Sequence, residues 1–149
     1  MKKKFLLVKV FIIYLILNTN VMAKQSKYFD EGAKLFKSNE FDKSKVLFER
    51  DIVFNPKSEK SYLYLAKIFN KDGNENEEEI NLNNVLLLNP KNDEAIYMLI
   101  LLKIKQSDYK QAKELITKFD LVCDSFCSHK SEIEKKMKKL IPENEKSNN

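Results

Sequence analysis

Apolar residues recur at intervals of three and four along most of the chain, which is the period of amphipathic helices. The clearest stripe consists of Tyr62, Leu65, Ala66 and Phe69. Short polar breaks at 38–40, 71–74 and 106–108 separate such stretches, and breaks of this length favour antiparallel neighbours. The pattern therefore predicts an all-α chain of helix pairs, followed by one more helix over 128–141.

One segment occurs twice, with a spacing of 34 residues. Phe54-Asn55-Pro56-Lys57 and Leu88-Asn89-Pro90-Lys91 each follow one helical pattern and precede another. Proline lacks a backbone donor and disfavours helix at the residue before it, so each Asn-Pro predicts a helix end and a turn. A small residue, Gly32 or Ala66, stands 24 positions before each proline and would let two helices approach closely. The chain is thus built from an internal repeat.

This repeat resembles the tetratricopeptide repeat, an antiparallel helix pair of 34 residues. Three units fit, at about 25–58, 59–92 and 93–126. The matching residues are Tyr28, Gly32, Phe41, Phe48 and Pro56, then Tyr62, Leu65, Ala66, Phe69, Gly73 and Pro90, then Ile96, Leu99, Tyr109 and Ala112. The departures from the pattern are Ser44, Ile100, Glu75 and Glu78. Glu75 and Glu78 belong to the second helix of the second unit and suggest that this helix packs loosely. The resemblance implies a right-handed α-solenoid of about three antiparallel helix pairs, with 128–141 as a capping helix over the last apolar edge.

The first residues have the layout of a secretory signal peptide. Basic residues at 2–4 precede an apolar run at 5–17, and Val21-Met22-Ala23 offers small residues for cleavage after Ala23. A retained inner-membrane anchor is the alternative, although this run spans roughly 20 Å against a hydrocarbon core of ~30 Å. We therefore expect residues 1–23 to be removed and the protein to be exported to the periplasm.

The charge of the chain changes once this segment is set aside. The 149 residues carry a formal charge of +5, and residues 1–23 contain four lysines and no acidic residue, which leaves +1. A nearly neutral chain with one arginine, Arg50, offers no electrostatic footprint for nucleic acid. A membrane partner is expected only if the signal is retained. The polar residues 142–149 should be a disordered tail.

The two cysteines are predicted to form a disulfide. Export would place Cys123 and Cys127 in an oxidising compartment, where such a pair persists as a bond. A redox site would favour a two-residue spacing, and a zinc site with His129 lacks a fourth ligand. We expect no metal and no cofactor. With one histidine and two glycines, the chain also offers no acid–base constellation or phosphate-binding loop, so we expect no enzyme.

The resemblance implies a concave groove lined by the first helix of each unit. Its positions in this chain are Phe29, Ala33 and Phe36, then Leu63, Lys67 and Asn70, then Tyr97, Leu101 and Ile104. Phe29 and Ala33 stand where the variant that grips a carboxylate has lysine and asparagine, so that ligand is disfavoured. The resemblance implies a non-catalytic scaffold that binds an apolar or helical segment of a protein partner. Alternatively, the groove residues pack against the capping helix, or against a second copy in a structural homodimer.

Overall fold

The chain folds into helices only over the part that the structure describes. The computed structural model describes residues 26–140, with Leu140 through its backbone alone, so the predicted signal peptide and tail lie outside it. Seven α-helices and one 3-10 turn fill this range, which contains no strand. They are α1 Lys27–Lys37, α2 Phe41–Phe54, α3 Glu59–Asp72, α4 Glu75–Leu88, α5 Asp93–Lys105, α6 Tyr109–Val122, the turn Cys127–His129 and α7 Lys130–Leu140. The predicted all-α class is confirmed.

The helices pack in consecutive pairs. α1 packs on α2, α3 on α4, and α5 on α6, while α2 with α3 and α4 with α5 join one pair to the next. α7 packs on α5. This arrangement is the predicted solenoid of three antiparallel helix pairs with a capping helix, and its core runs through the pairs as three apolar clusters.

Side chains at the helix starts satisfy free backbone N–H groups. Ser26, Asn74, Asn92 and Asp108 each accept a bond from the backbone N–H three residues later. At the end of α3, Gly73 adopts the left-handed conformation with φ of 70° that closes the helix. These local signals explain why the helix boundaries follow the short polar breaks.

Helix spacing within a pair depends on two facing residues. A Cβ atom added to Gly32 would lie 3.0 Å from the fully buried ring of Phe48. The same positions of the second pair hold Ala66 and Leu82, which share one cluster. In the third pair Ile100 and Ile116 share another cluster. From the first pair to the second the small residue grows while its partner shrinks, whereas the third pair has two isoleucines at these positions and buries Ile100 fully.

Polar residues at usually apolar repeat positions are buried with partners. The Ser44 hydroxyl donates to the carbonyl of Gly32 at 2.9 Å, and the Asp51 carboxylate accepts from Ser26 and Ser61. Burial raises the pKa of the Glu78 carboxyl, and a bond from the Asn70 amide at 2.9 Å partly offsets that rise. Glu78 is 2% exposed within a packed helix. The expectation that this helix, α4, packs loosely is therefore wrong.

Candidate binding groove

The nine predicted groove positions lie on the first helices of the three pairs, and seven of them border one of two separate recesses. The N-terminal recess has a volume of about 690 Å³ and the C-terminal recess about 520 Å³. The N-terminal recess is lined by Phe29, Asp30, Ala33, Lys34, Lys37, Lys60, Leu63, Tyr64, Lys67 and Glu94. The C-terminal recess is lined by Asn70, Leu101, Leu102, Ile104, Lys105, Lys136 and Lys139.

Aromatic packing forms the floor of the N-terminal recess. The Tyr64 ring stacks on Phe48 with a centroid distance of 4.8 Å and meets the edges of Phe29 at 5.7 Å and Phe36 at 4.9 Å. Phe29 is only 6% exposed, because this cluster surrounds it. The floor is thus apolar and closely packed, and it derives from side chains of the first two helix pairs.

Lysines surround this floor. Lys67 forms an ion pair with Glu94 at 2.7 Å, and its ammonium also lies 5.2 Å from the centre of the Tyr64 ring. The Lys60 ammonium lies 6.0 Å from the centre of the Phe29 ring. Within the described residues Lys34, Lys37 and Lys60 have no ion-pair partner. The N-terminal recess therefore combines an apolar floor with an excess of positive charge.

The C-terminal recess is built differently, because two of the three lysines that line it form ion pairs within the protein. Lys105 pairs with Glu75 at 2.9 Å, and Lys136 lies 3.6 Å from Glu132. The hydrogen bond with Lys105 lowers the pKa of the Glu75 carboxyl and raises that of the Lys105 ammonium. Lys103, 5% exposed, also pairs with Glu79 at 2.6 Å. The acidic start of α4 thus makes specific contacts with α5.

The capping helix covers Tyr97. The Tyr97 hydroxyl donates to Glu132 on α7 at 2.9 Å, and its ring lies 4.5 Å from that of His129 and 5.7 Å from that of Phe126. Burial and the Glu132 carboxylate together raise the pKa of Tyr97 to about 12. Ile133 and Met137 of α7 are buried in the same cluster. At this position the structure shows the alternative in which a predicted groove residue packs against the cap.

The nine predicted groove residues therefore divide into three groups. Phe29, Ala33, Leu63 and Lys67 border the N-terminal recess, while Asn70, Leu101 and Ile104 border the C-terminal recess. Phe36 and Tyr97 border neither and instead pack within aromatic clusters. Their role in binding stays a prediction.

Sequence reasoning missed most of the lysines around the recesses. It counted only Lys67 in the groove, whereas Lys34, Lys37 and Lys60 also line the N-terminal recess. A signal was present for two of them, because Lys37 lies four residues from Ala33 and Lys60 lies three residues from Leu63, which places each on the same side of its helix as a groove position.

Cys123 and Cys127 lie where a disulfide can form. Their Cα atoms are 5.2 Å apart and their sulfur atoms are at bonding distance. Asp93 at the start of α5 holds the same loop, because its carboxylate accepts from the backbone N–H groups of Asp124 at 2.8 Å and Phe126 at 2.9 Å. Burial raises the pKa of Asp93, but these backbone bonds outweigh that effect and lower it overall.

Residues 26–140 show neither a cluster of potential metal ligands nor a helix suited to crossing a membrane. No group of three or more potential metal ligands comes together among these residues. The His129 Nδ1 atom instead lies 3.3 Å from a Glu132 carboxylate oxygen, and its ring stacks on Phe126. Over the same range, no helix has the length and apolar character that crossing a membrane requires.

Comparison with known proteins shows similarity in structure. No family model matches the chain, and no curated protein matches it in sequence. The fold is similar to the Sgt2 TPR domain from Aspergillus fumigatus, with a TM-score of 0.64 and 19% identity over 76% of this chain and 78% of that one. It is also similar to a chain of the CopN-Scc3 complex, with a TM-score of 0.62 and 13% identity over 83% and 80%. The chain therefore has a tetratricopeptide-like fold.

Proposed function

We propose that the protein is a non-catalytic interaction scaffold of the cell envelope that binds a peptide segment of another protein in its N-terminal recess. The observation that carries this proposal is the apolar floor of Phe29, Leu63 and Tyr64 beneath lysines without ion-pair partners. A concave apolar surface with a few polar groups is the usual form of a binding site. The tetratricopeptide-like fold supports the proposal, since one similar structure belongs to a protein complex.

The charges of the recess narrow the chemistry of the ligand. Apolar side chains would contact the floor, and acidic side chains would pair with Lys34, Lys37 and Lys60. Such pairs at the rim steer association and set specificity more than they add affinity. We therefore expect an apolar segment that also carries aspartate or glutamate, in an extended or helical conformation.

Self-association through the same groove is the alternative. A two-fold contact would place the lysines of one N-terminal recess opposite the lysines of the other. Like charges that face each other across an interface oppose association. The charge of the recess therefore favours a different protein over a second copy as its occupant.

Location in the envelope is a separate part of the proposal. It depends on residues 1–23, which have the layout of an export signal. The recess chemistry does not depend on that location, so the two parts are tested separately.

A phage-displayed library of random peptides, selected on the purified protein, tests the recess. We expect the selected peptides to combine apolar residues with aspartate or glutamate, and their affinity to fall as salt concentration rises. Lys34→Glu combined with Lys37→Glu should weaken binding about tenfold or more, because two favourable charges become unfavourable ones.

Lys110→Glu is the matched control, since Lys110 is exposed on α6 and borders neither recess. Its binding should stay close to that of the unaltered protein. Selected peptides without acidic residues, or equal loss of binding in the control, would contradict the proposed ligand.

A further inference from the structure

The capping helix α7 covers a concave position of the third unit. Its Glu132 carboxylate accepts from the hydroxyl of Tyr97, a predicted groove residue, at 2.9 Å. Ile133 and Met137 of α7 are 2% and 7% exposed and share one apolar cluster with Phe119 of α6. α7 thus occupies, within the same chain, a position that the resemblance assigns to the ligand groove.

α7 is attached to the solenoid less completely than the other first helices. α1, α3 and α5 each pack along an antiparallel second helix, whereas no helix follows α7 among residues 26–140. Lys130 pairs with Asp120 on α6 at 2.8 Å, but these side chains are 40% and 51% exposed, and such surface pairs contribute little to stability. α7 is therefore held mainly by its two buried side chains and by the bond from Tyr97.

A long connection leads to α7. Seven residues, 123–129, separate it from α6, whereas two to four residues separate the other consecutive helices. The cysteine pair and the Asp93 carboxylate hold the first five residues of this connection. A movement of α7 would therefore turn about Ser128 and His129 and leave α6 in place.

We infer that α7 is an autoinhibitory helix and that the helix of a partner protein displaces it. The contacts of α7 define the chemistry of that partner. It is an amphipathic helix with glutamate directly before one apolar residue and a second apolar residue four positions later, as in Glu132, Ile133 and Met137. Its apolar side chains enter the cluster around Phe119, and its carboxylate accepts from Tyr97.

The tether makes α7 a strong competitor for this site. A segment of the same chain acts at a high effective concentration, so a partner helix of equal fit binds only to the molecules in which α7 is open. Its apparent dissociation constant is the intrinsic constant divided by the open fraction. A change that loosens α7 therefore tightens binding of the partner, whereas loosening a purely structural cap would only destabilise the fold.

This inference goes beyond the proposed function and does not rest on it. The N-terminal recess is lined by side chains of α1, α3 and α5 and by none of α7. Exchange of α7 between two copies is opposed by the connection, because the cysteine pair and Asp93 keep its first five residues folded. A different protein is therefore the occupant that competes with α7.

A synthetic peptide with the sequence of residues 128–141 tests the displacement, with fluorescence anisotropy as the readout. This peptide has five lysines and two glutamates, so the lysines of the N-terminal recess disfavour it. Ile133→Asp in the full protein should tighten peptide binding about tenfold or more, because the altered α7 no longer fills the site. Ser131→Asp introduces the same charge at an exposed position of α7 and is the matched control, which should not tighten binding.

A second variant and a second peptide keep the test independent of one substitution. Glu132→Gln in the protein preserves the size of the side chain but weakens the bond from Tyr97, and it should tighten peptide binding several-fold. The peptide that carries Ile133→Asp should bind none of the proteins. Circular dichroism establishes that each variant keeps its helices.

Three results would overturn the inference. One is equal peptide affinity for the unaltered protein and the Ile133→Asp and Glu132→Gln variants, which would place the peptide on another surface. The second is no peptide binding to either variant while its helices are retained, which would leave α7 as a structural cap only. The third is a sedimentation mass of two chains that Ile133→Asp reduces to one, which would show that α7 exchanges between copies.

Discussion

At the scale of single residues, the contact between Gly32 and Phe48 sets the spacing of the first helix pair. Phe48 is fully buried and also stacks on Tyr64, so its ring has no free space into which it can move. An added methyl group at Gly32 would lie 3.0 Å from that ring. Alanine favours helix over glycine by ~1 kcal/mol, but overpacking a filled core opposes folding by about 1–3 kcal/mol.

We therefore predict that Gly32→Ala lowers the free energy of unfolding, in spite of its better helix propensity. Phe48→Leu in the same chain should reduce this loss, because it reproduces the Ala66–Leu82 combination of the second pair. Urea unfolding of the two single variants and the double variant measures the coupling. Strictly additive effects would show that the two side chains do not compete for space.

Ionisation of the single residue Tyr97 affects how strongly the capping helix α7 is held. Its pKa of about 12 lies above the ordinary value near 10, so between these values the unfolded chain loses its proton first. The contribution of Tyr97 is therefore complete below about pH 10 and falls as the pH rises toward 12. On the acid side, the hydrogen bond from Tyr97 lowers the pKa of the Glu132 carboxyl. The stabilisation that the ionised Glu132 contributes is therefore present above the carboxyl range and falls as the pH drops through it.

We predict that the melting temperature falls less steeply above about pH 10 in Tyr97→Phe than in the unaltered protein. Phenylalanine keeps the ring contacts and removes the titrating hydroxyl. Thermal melts of the two proteins across this range therefore measure the effect of Tyr97 deprotonation on stability. An identical slope in both proteins would show that Tyr97 titrates normally. Tyr97→Ala should also destabilise the fold, because the ring packs beneath α7 and is not freely exposed in the groove.

At the scale of elements, the connection from α6 to α7 is held by two independent contacts. The cysteine pair closes a loop of five residues, and the Asp93 carboxylate accepts from two backbone N–H groups of that loop. α7 then buries Ile133 and Met137 against α5 and α6. The cap is thus attached by packing as well as by covalent chemistry.

We predict that the cysteines are bonded in the native protein and that reduction lowers the melting temperature only modestly. A loop this short stabilises by ~2 kcal/mol in the chain-entropy account. Asp93→Ala should make reduction more damaging, since it removes the second contact. Free alkylation of both thiols without reductant would show that the native protein lacks the bond.

At the scale of the whole molecule, the net charge depends on whether residues 1–23 are present. The full sequence carries +5, and four lysines of that charge lie in this segment. The positive charge that the proposed binding function uses is the local excess of lysines at the N-terminal recess, which a net charge near zero does not reveal. Total charge is therefore a poor guide to the ligand of this protein.

We predict that the native protein begins at Lys24. The basic start, the apolar run and Val21-Met22-Ala23 motivate this expectation. Intact-mass measurement of protein from its native source checks it, and the chain expressed without residues 1–23 is the mass standard. A full-length mass in the membrane fraction would favour the retained anchor at residues 5–17.

The helices, their pairing and the repeat could be read from the sequence because they depend on local information. Period, polar breaks and the Asn-Pro turns act within a few residues, and the spacing of 34 repeats them. The partners of Ile100 and Glu78 could not be read in this way. Each departure has its partner on the other helix of the pair, where Ile100 shares a cluster with Ile116 and Glu78 accepts a hydrogen bond from Asn70.

The sequence alone determined which residues form the apolar faces of the helices, since helical period and repeat position assign those faces, and the resemblance predicted which residues line a groove. Only the tertiary structure decided which of these residues are accessible. Tyr97 is covered because α7 folds back onto α5, and Phe29 is buried because the second pair places Tyr64 against it. The lysines of the N-terminal recess surround one floor only because the fold brings α1 and α3 to it. Accessibility and local charge depend on contacts between distant parts of the chain, and a pattern along the chain does not contain those contacts.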